Sequence, residues 1–384
     1  AELYGAALSR LSTGELLALG GYAGRTSSSA PIGADQLSRF DSSTGTWIPL
    51  APSGEAWHGA AGLTLGDGSF LALGGADSGS VNTVPARFDG EAWTRLPGAD
   101  LGAWLNAGIG AVDGLFPFVH LSPEGDVVVA GWDQNLGVIE TEGGGSWAFQ
   151  GQRESMERIW GSAASLGSDR ILVLGGVDRF SSVPDAARSA VVIDVTGPTP
   201  AVSSAGEMMF RRADHDATVL ADGTVLVTGG SRRHNPVSTS TAIRVAELWD
   251  PATGEWAFCA ASSEPRGYRS TSILLPDATV WTGGGVSSPG VGSLSSEIFR
   301  PPYLFSTATG QLAPRPEIVA APEALAYDAP FQVQLSGAAA VSRATLVRLG
   351  SATHGINTDQ RCLELSFTQS GASLDLTSPL NGNV

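Results

Sequence analysis

An all-β fold, a kelch-like β-propeller followed by a smaller β-sandwich, is what three features of this 384-residue chain predict. A strand-like apolar phrase ending in Gly-Gly returns about every 50 residues. Turn words rich in Gly and Asp stand at fixed offsets from that phrase. An aromatic-Asp pair followed by a Trp closes several of the units.

The phrase reads LLALGG to Gly21, FLALGG to Gly75, ILVLGG to Gly176, VLVTGG to Gly230 and VWTGG to Gly284. A variant, VVVAGW, surrounds Gly131. Before each phrase lies a first strand and a tight turn, as at Gly66-Asp67-Gly68, Ala221-Asp222-Gly223 and Pro276-Asp277. Gly and Asp accept the turn conformations that other residues resist. A third strand ends at Phe40-Asp41, Phe88-Asp89 or Trp249-Asp250, and the Trp of a fourth follows at Trp47, Trp93 or Trp256. Four antiparallel strands per unit of this length make one propeller blade. The second strands are apolar throughout, as expected of inner strands covered on both faces by neighbouring blades. Six blades are visible.

The grammar changes after Glu297–Leu304. Pro314-Arg315-Pro316 reads as a linker, and the alternating strands Phe331–Leu335, Ala344–Leu349 and Leu363–Phe367 follow without Gly-Gly. The predicted domains are therefore 1–311, the propeller, and 312–384, a second all-β domain.

The net charge is −16, and all 22 cations are Arg. An acidic chain repels polyphosphate and anionic lipid, which argues against nucleic acid and membrane as partners. No apolar run approaches the ~18 residues of a spanning helix. Cys259 and Cys362 are the only cysteines; one disulfide or two thiols both fit.

The order of parts, and particular words in it, resembles the galactose oxidase and glyoxal oxidase family of copper radical oxidases. The words are Ala344–Arg348, the run Ser351–Arg361 containing Thr353-His354-Gly355-Ile356-Asn357-Thr358-Asp359-Gln360-Arg361, Arg266–Ser270 and Gly229–Arg233. The resemblance implies a seven-bladed propeller and an immunoglobulin-like domain, from which a finger rises through the propeller axis. It implies that His354 would reach copper from that finger and that Tyr268 would be the axial ligand.

Other members of the implied copper set are replaced. Arg269 follows Tyr268 where the family has histidine. The window for the second tyrosine reads Ala56-Trp57-His58-Gly59-Ala60, and the position of its cysteine partner falls on Gly5, beside Tyr4. The family's stacking tryptophan falls near Asp77. Without the cysteine–tyrosine thioether the radical cofactor cannot form, and a guanidinium that stays charged opposes cation binding. The expectation is no cofactor; the alternative is copper without the crosslink, held among His58, His215, Tyr268 and His354.

Residues opening the inner strands are expected to face the axis: Tyr4, Trp57 or His58, Trp160, Asp214 or His215, and Tyr268 with Arg269. Arg211, Arg212, Arg232 and Arg233 stand nearby. One reading is a rebuilt pocket, whose aromatic walls and arginines suit a carbohydrate or a small anion. The other is that the aromatics pack the channel and the arginines pair with acids. Catalytic candidates are limited to Tyr268, Arg269 and His354, whereas His120 and His234 read as loop residues.

Two functions follow. The first is an exported, extracellular or cell-envelope propeller that binds a ligand or serves a structural role without the radical cofactor. The second is an oxidoreductase or other enzyme with an altered axial site. The family's first blade is expected to be missing here, and the last domain reads as incomplete beyond Val384. A second polypeptide or further segments would complete both.

Overall fold

A computed structural model describes residues 2–384 apart from 12, 28–30, 103–114, 132, 182–184, 198, 235–238, 289–290 and 354. Six antiparallel sheets follow one another along the chain. Their innermost strands are Glu2–Arg10, His58–Thr64, Val119–Leu121, Ser162–Leu166, Ala213–Val219 and Ser270–Leu274. In the first five sheets, strands one to four pair in chain order, with short extra strands beside the first two. The sixth sheet departs from the expected four strands: it has only Ser270–Leu274, Val280–Gly284 and Ser296–Phe299. The chain beyond Phe299 enters Pro301-Pro302 and a 3-10 turn at Pro302–Leu304. Proline has no N–H to give to a ladder.

Each junction between successive blades has its own apolar core. Leu17, Leu19 and Ala60 with Phe70 join blades one and two, and Leu63 and Leu71 with Val119 and Val127 join two and three. Val128 with Ile171, Leu172 with Val225, and Leu226 with Val280 continue the series. At the rims, the aromatic pairs read from the sequence are direct cross-strand partners: Phe40 with Trp47, Phe88 with Trp93 and Trp249 with Trp256. Their rings lie 5.2, 5.3 and 6.2 Å apart, within the range of favourable aromatic contact.

Where it is complete, the Gly-Gly phrase is a pair of left-handed glycines after the apolar run of the second strand; blade three has Ala130 before a left-handed Gly131. Gly20 and Gly21 have φ of 74° and 109°, Gly175 and Gly176 of 62° and 82°, and Gly229 and Gly230 of 64° and 80°. In the sixth blade the left-handed pair is Gly284-Gly285, at 71° and 87°. The sequence count to Gly284 was one residue early, because Gly283 belongs to the strand ladder. Space is as restrictive as torsion here. A Cβ on Gly175 would lie 2.6 Å from Arg212 O of the next blade, and one on Gly176 would lie 2.6 Å from Arg158 C of its own.

This closeness lets the second glycine N–H reach across the junction. Gly21, Gly176 and Gly230 donate to the carbonyls of Trp57, Arg212 and Arg266, at 2.8, 2.8 and 2.5 Å. The receiving residue is itself an anchor. Arg158, Arg212 and Arg266 are buried. Each guanidinium donates to the first-glycine carbonyl of its own blade, at Gly175, Gly229 and Gly284. Each also meets a glutamate: Glu154, Glu247 or Glu297. Trp57, fully buried, takes the same place in blade two and donates Nε1 to Ser53 Oγ at 2.9 Å.

The last residues form a four-stranded sheet of Ile318–Ala320, Pro330–Leu335, Ser373–Thr377 and Phe367–Ser370, and a second pair, Ala344–Arg348 with Arg361–Leu365. Between that pair a finger, Ala352–Thr353 with Ile356–Asn357, enters the propeller and touches the innermost strands of blades one, four, five and six. The word after it anchors the finger. Thr358 Oγ1 donates to Gly62 O at 2.6 Å, and Gln360 exchanges hydrogen bonds with the backbone of Val219. Asp359 accepts from Ser9 Oγ, Arg10 N and Ser351 Oγ at 3.1, 2.7 and 2.5 Å.

Gly230→Ala and Gly254→Ala separate torsion from crowding. Both glycines are left-handed, at 80° and 74°, which costs about 1 kcal/mol once a side chain is present. Only Gly230 would bring its Cβ 2.7 Å from Ala213 O; Gly254 has nothing within 4 Å. Urea unfolding should show a loss of about 3 kcal/mol or more for Gly230→Ala and about 1 kcal/mol for Gly254→Ala. Equal losses would remove the crowding argument.

Candidate ligand site at the propeller axis

The register places one residue of each blade at the mouth of the axis. It is Gly5, Gly59, Phe116, Trp160, Asp214 and Arg269, and in every blade but the third it precedes the residue paired with, or facing, the first glycine. All six have left-handed φ, of 75°, 76°, 53°, 55°, 57° and 68° in that order. Glycine accepts this conformation freely, whereas Phe, Trp, Asp and Arg are strained in it. Four blades thus hold a functional-sized side chain where two hold none.

Two of the strained residues, Trp160 and Asp214, meet around one histidine. His234 follows the Gly229–Arg233 word, and its Nδ1 lies 2.9 Å from both carboxylate oxygens of Asp214. Its ring lies parallel to that of Trp160, 3.5 Å away at 6°. The Tyr268 ring stands edge-on to it at 5.6 Å and 87°. The Arg269 guanidinium lies 5.0 Å over the Tyr268 ring, a cation–π distance. The structure therefore brings together Trp160, Asp214, Tyr268 and Arg269, as the sequence suggested. It adds His234, which the sequence reading left as a loop residue. The signal available was its place three residues beyond the strand that ends at Ser231.

Several expected axial residues lie elsewhere. Trp57 is a junction anchor and not a pocket wall. His215 sits between blades four and five: its Cε1 faces Gly175 and its Cβ faces Gly230. The alternation of the strand sends Asp214 to the mouth and His215 into the junction. Burial and the nearby Arg212 and Arg158 depress the His215 pKa to about 3, so the ring is neutral. His58 lies 6.2 Å from the Tyr22 ring, and burial with the Arg25 charge lowers its pKa. Arg212 is sealed against Glu247 at 2.8 Å. Arg232 and Arg233 both bind Asp185, at 2.5 and 2.7 Å, and those bonds hold the Asp185 carboxyl below its usual range. His120 is an innermost-strand residue, buried and 2.8 Å from Ser165 Oγ. His354 and the side chain of Tyr4 fall outside the described residues.

Other groups stand close to Gly5 and Gly59, in the regions where the resemblance implies a thioether. A Cβ on Gly5 would run into the His58 ring, and one on Gly59 would lie 2.7 Å from Leu115 Cδ2. Asp77, at the stacking-tryptophan position, accepts from Gly33 N at 3.2 Å. The alternative metal set is dispersed: His58 faces blade one, His215 is locked in a junction and Tyr268 belongs to the mouth. Among the described residues, no three of His, Cys, Asp and Glu gather around one point. Cys259 and Cys362 are separate thiols, and Cys362 Sγ lies 3.5 Å from Ala221 O.

Below the mouth, Asp216 is buried and accepts from Ser270 Oγ at 2.8 Å. Burial raises its pKa to about 7, partly offset by that bond. Folding therefore favours its protonated form: the contribution is complete below about pH 4 and lost as pH rises through about 7. His215 acts in the opposite sense, its contribution fading as pH falls below the ordinary histidine range. Asp216→Asn isolates the carboxyl. In urea melts between pH 4 and 8, the variant should gain on the unsubstituted protein as pH rises towards 7. A difference independent of pH would show that Asp216 is ionised in the fold.

Comparison with known proteins adds the following. The domain description "Galactose oxidase-like, Early set domain" matches residues 315–384. A galactose oxidase of Gibberella zeae is 30% identical over 361 residues, covering 88% of this chain and 52% of that protein. The Arabidopsis thaliana aldehyde oxidase GLOX1 is 23% identical over 392 residues, covering 92% of this chain and 62% of that one. A fungal alcohol oxidase of the AA5 family, solved in complex with copper, superposes with a TM-score of 0.89 at 25% identity. That alignment covers 99% of this chain and 80% of the other. The chain thus spans about half the length of the galactose oxidases it matches.

Proposed function

We propose, on the premise that this chain is a homologue of galactose oxidase and the glyoxal oxidases, that it uses their scaffold without the Cys–Tyr radical cofactor. On this reading it binds a carbohydrate or small anionic ligand at the mouth of the propeller axis. The observation that carries the reading is the pair Gly5 and Gly59. Neither position offers a thiol or phenol, and His58 and Leu115 stand in the space their side chains would need.

The remaining groups fit a ligand site better than a copper site. Arg269 places a permanent charge over Tyr268, and a guanidinium opposes a metal cation beside it. Asp214 and His234 are engaged with each other. The strain held at Trp160, Asp214 and Arg269 supports function at the mouth, since such backbone is retained where the surrounding structure over-determines it. We place the protein outside the cell or in the cell envelope, in keeping with its homology to the galactose and glyoxal oxidases.

The experiment is copper loading of the purified protein under air, with metal analysis and a peroxide assay on alcohols and aldehydes. We expect less than stoichiometric copper, no radical signal in optical or paramagnetic resonance spectra, and no peroxide. Stoichiometric copper with peroxide production would overturn this reading in favour of an oxidoreductase that keeps Tyr268 and His354 in an altered centre.

A further inference from the structure

Resting on the reading of the axial mouth as a ligand site, we infer that Asp214 and His234 form a tautomer-locked hydrogen-bond acceptor. It selects a neutral, hydroxyl-bearing ligand over a carboxylate. An ionised carboxylate only accepts hydrogen bonds, and both Asp214 oxygens lie 2.9 Å from His234 Nδ1. The proton of the neutral imidazole therefore resides on Nδ1, and Nε2 presents a lone pair. Among the described residues Nε2 has no hydrogen-bond partner, and the side chain is 19% exposed.

The ring cannot easily turn to offer its other nitrogen. Trp160 lies against its face at 3.5 Å and Tyr268 against its edge at 5.6 Å. Two of the groups that fix it, Asp214 and Trp160, hold left-handed backbone with φ of 57° and 55°. Blades one and two place glycine there, so the strain is borne where it positions His234.

The chemistry of the acceptor decides the ligand class. A hydroxyl donates its proton to Nε2 and completes the chain O–H to imidazole to carboxylate. A ligand carboxylate would set lone pair against lone pair, beside the charge of Asp214. The nearby cations Arg232 and Arg233 are engaged by Asp185, and an anion would have to displace it. Arg269, over the Tyr268 ring, is a further cation of the mouth, and its replacement reports whether an anion is held there.

The test is calorimetric titration of the full chain with a panel of neutral hexoses and pentoses, their uronic acids and their monodeoxy derivatives. We expect a neutral sugar to bind more tightly than its uronic acid, and one deoxy derivative to lose about tenfold in affinity. His234→Phe, which keeps a ring on Trp160, should lose the same factor and become indifferent to that deoxy change. Asp214→Asn tolerates the left-handed backbone and frees the tautomer, and should weaken binding likewise. Arg170→Gln, at the end of blade four's inner strands remote from the mouth, should alter neutral-sugar affinity by less than about twofold, with thermal unfolding checked for every variant. Tighter binding of uronic acids, weakened by Arg269→Gln and untouched by His234→Phe, overturns this inference and leaves the axial ligand site standing. Failure of the whole panel to bind overturns both.

Discussion

The architecture depends on how closely two blades can approach at their inner strands. In blades one, four and five the second glycine of the pair sends its N–H into the neighbouring blade, to Trp57, Arg212 or Arg266. The first glycine's carbonyl receives the guanidinium of its own blade's anchor. A side chain is excluded at Gly20, Gly175, Gly176, Gly229 and Gly230, where a Cβ would lie 2.1, 2.6, 2.6, 2.2 and 2.7 Å from a backbone atom. The arginines come at the cost of burying a charge, which is tolerable only because Glu154, Glu247 and Glu297 meet them.

The same closeness creates the axial mouth. Once the pair fixes the register of the inner strands, the residue before the paired position must turn left-handed to leave the junction. Six positions thereby turn out of the ladder, and four of them, Phe116, Trp160, Asp214 and Arg269, carry a side chain. Gly5 and Gly59 leave room that His58 and Leu115 occupy; Trp160 and Asp214 instead build around His234. The finger supplies the floor. Its Asn357–Arg361 word ties blades one, two and five through Asp359, Thr358 and Gln360. The word that resembles the relatives most closely thus reads mainly as scaffold.

Repeat, turn words and aromatic pairs made the blades legible, since each reports a local requirement: a left-handed turn, a tight hairpin, a cross-strand ring contact. That no cysteine stands at Gly5 and no tyrosine within Ala56–Ala60, where the resemblance implies them, was legible too, by counting along the repeat. The neighbouring choices were not. Trp57 or His58, and Asp214 or His215, were expected to face the axis; Asp214 does, whereas Trp57 and His215 are committed to junctions. One residue of register separates the two environments, and a strand pattern of period two cannot say which side is which when both are buried.

The sequence by itself determined the all-β repeat, its blade count, its likeness to the copper radical oxidases and the substitutions at the thioether positions. These follow from bonding rules that act over a few residues. Only the tertiary structure decided that Asp214 and His234 meet on the Trp160 ring, that Arg232 and Arg233 are engaged by Asp185, and that the arginine anchors are buried in the junctions. Those contacts join segments 20 to 74 residues apart, between 214 and 234 or 160 and 234. Their partners are chosen by blade packing, which no local pattern encodes.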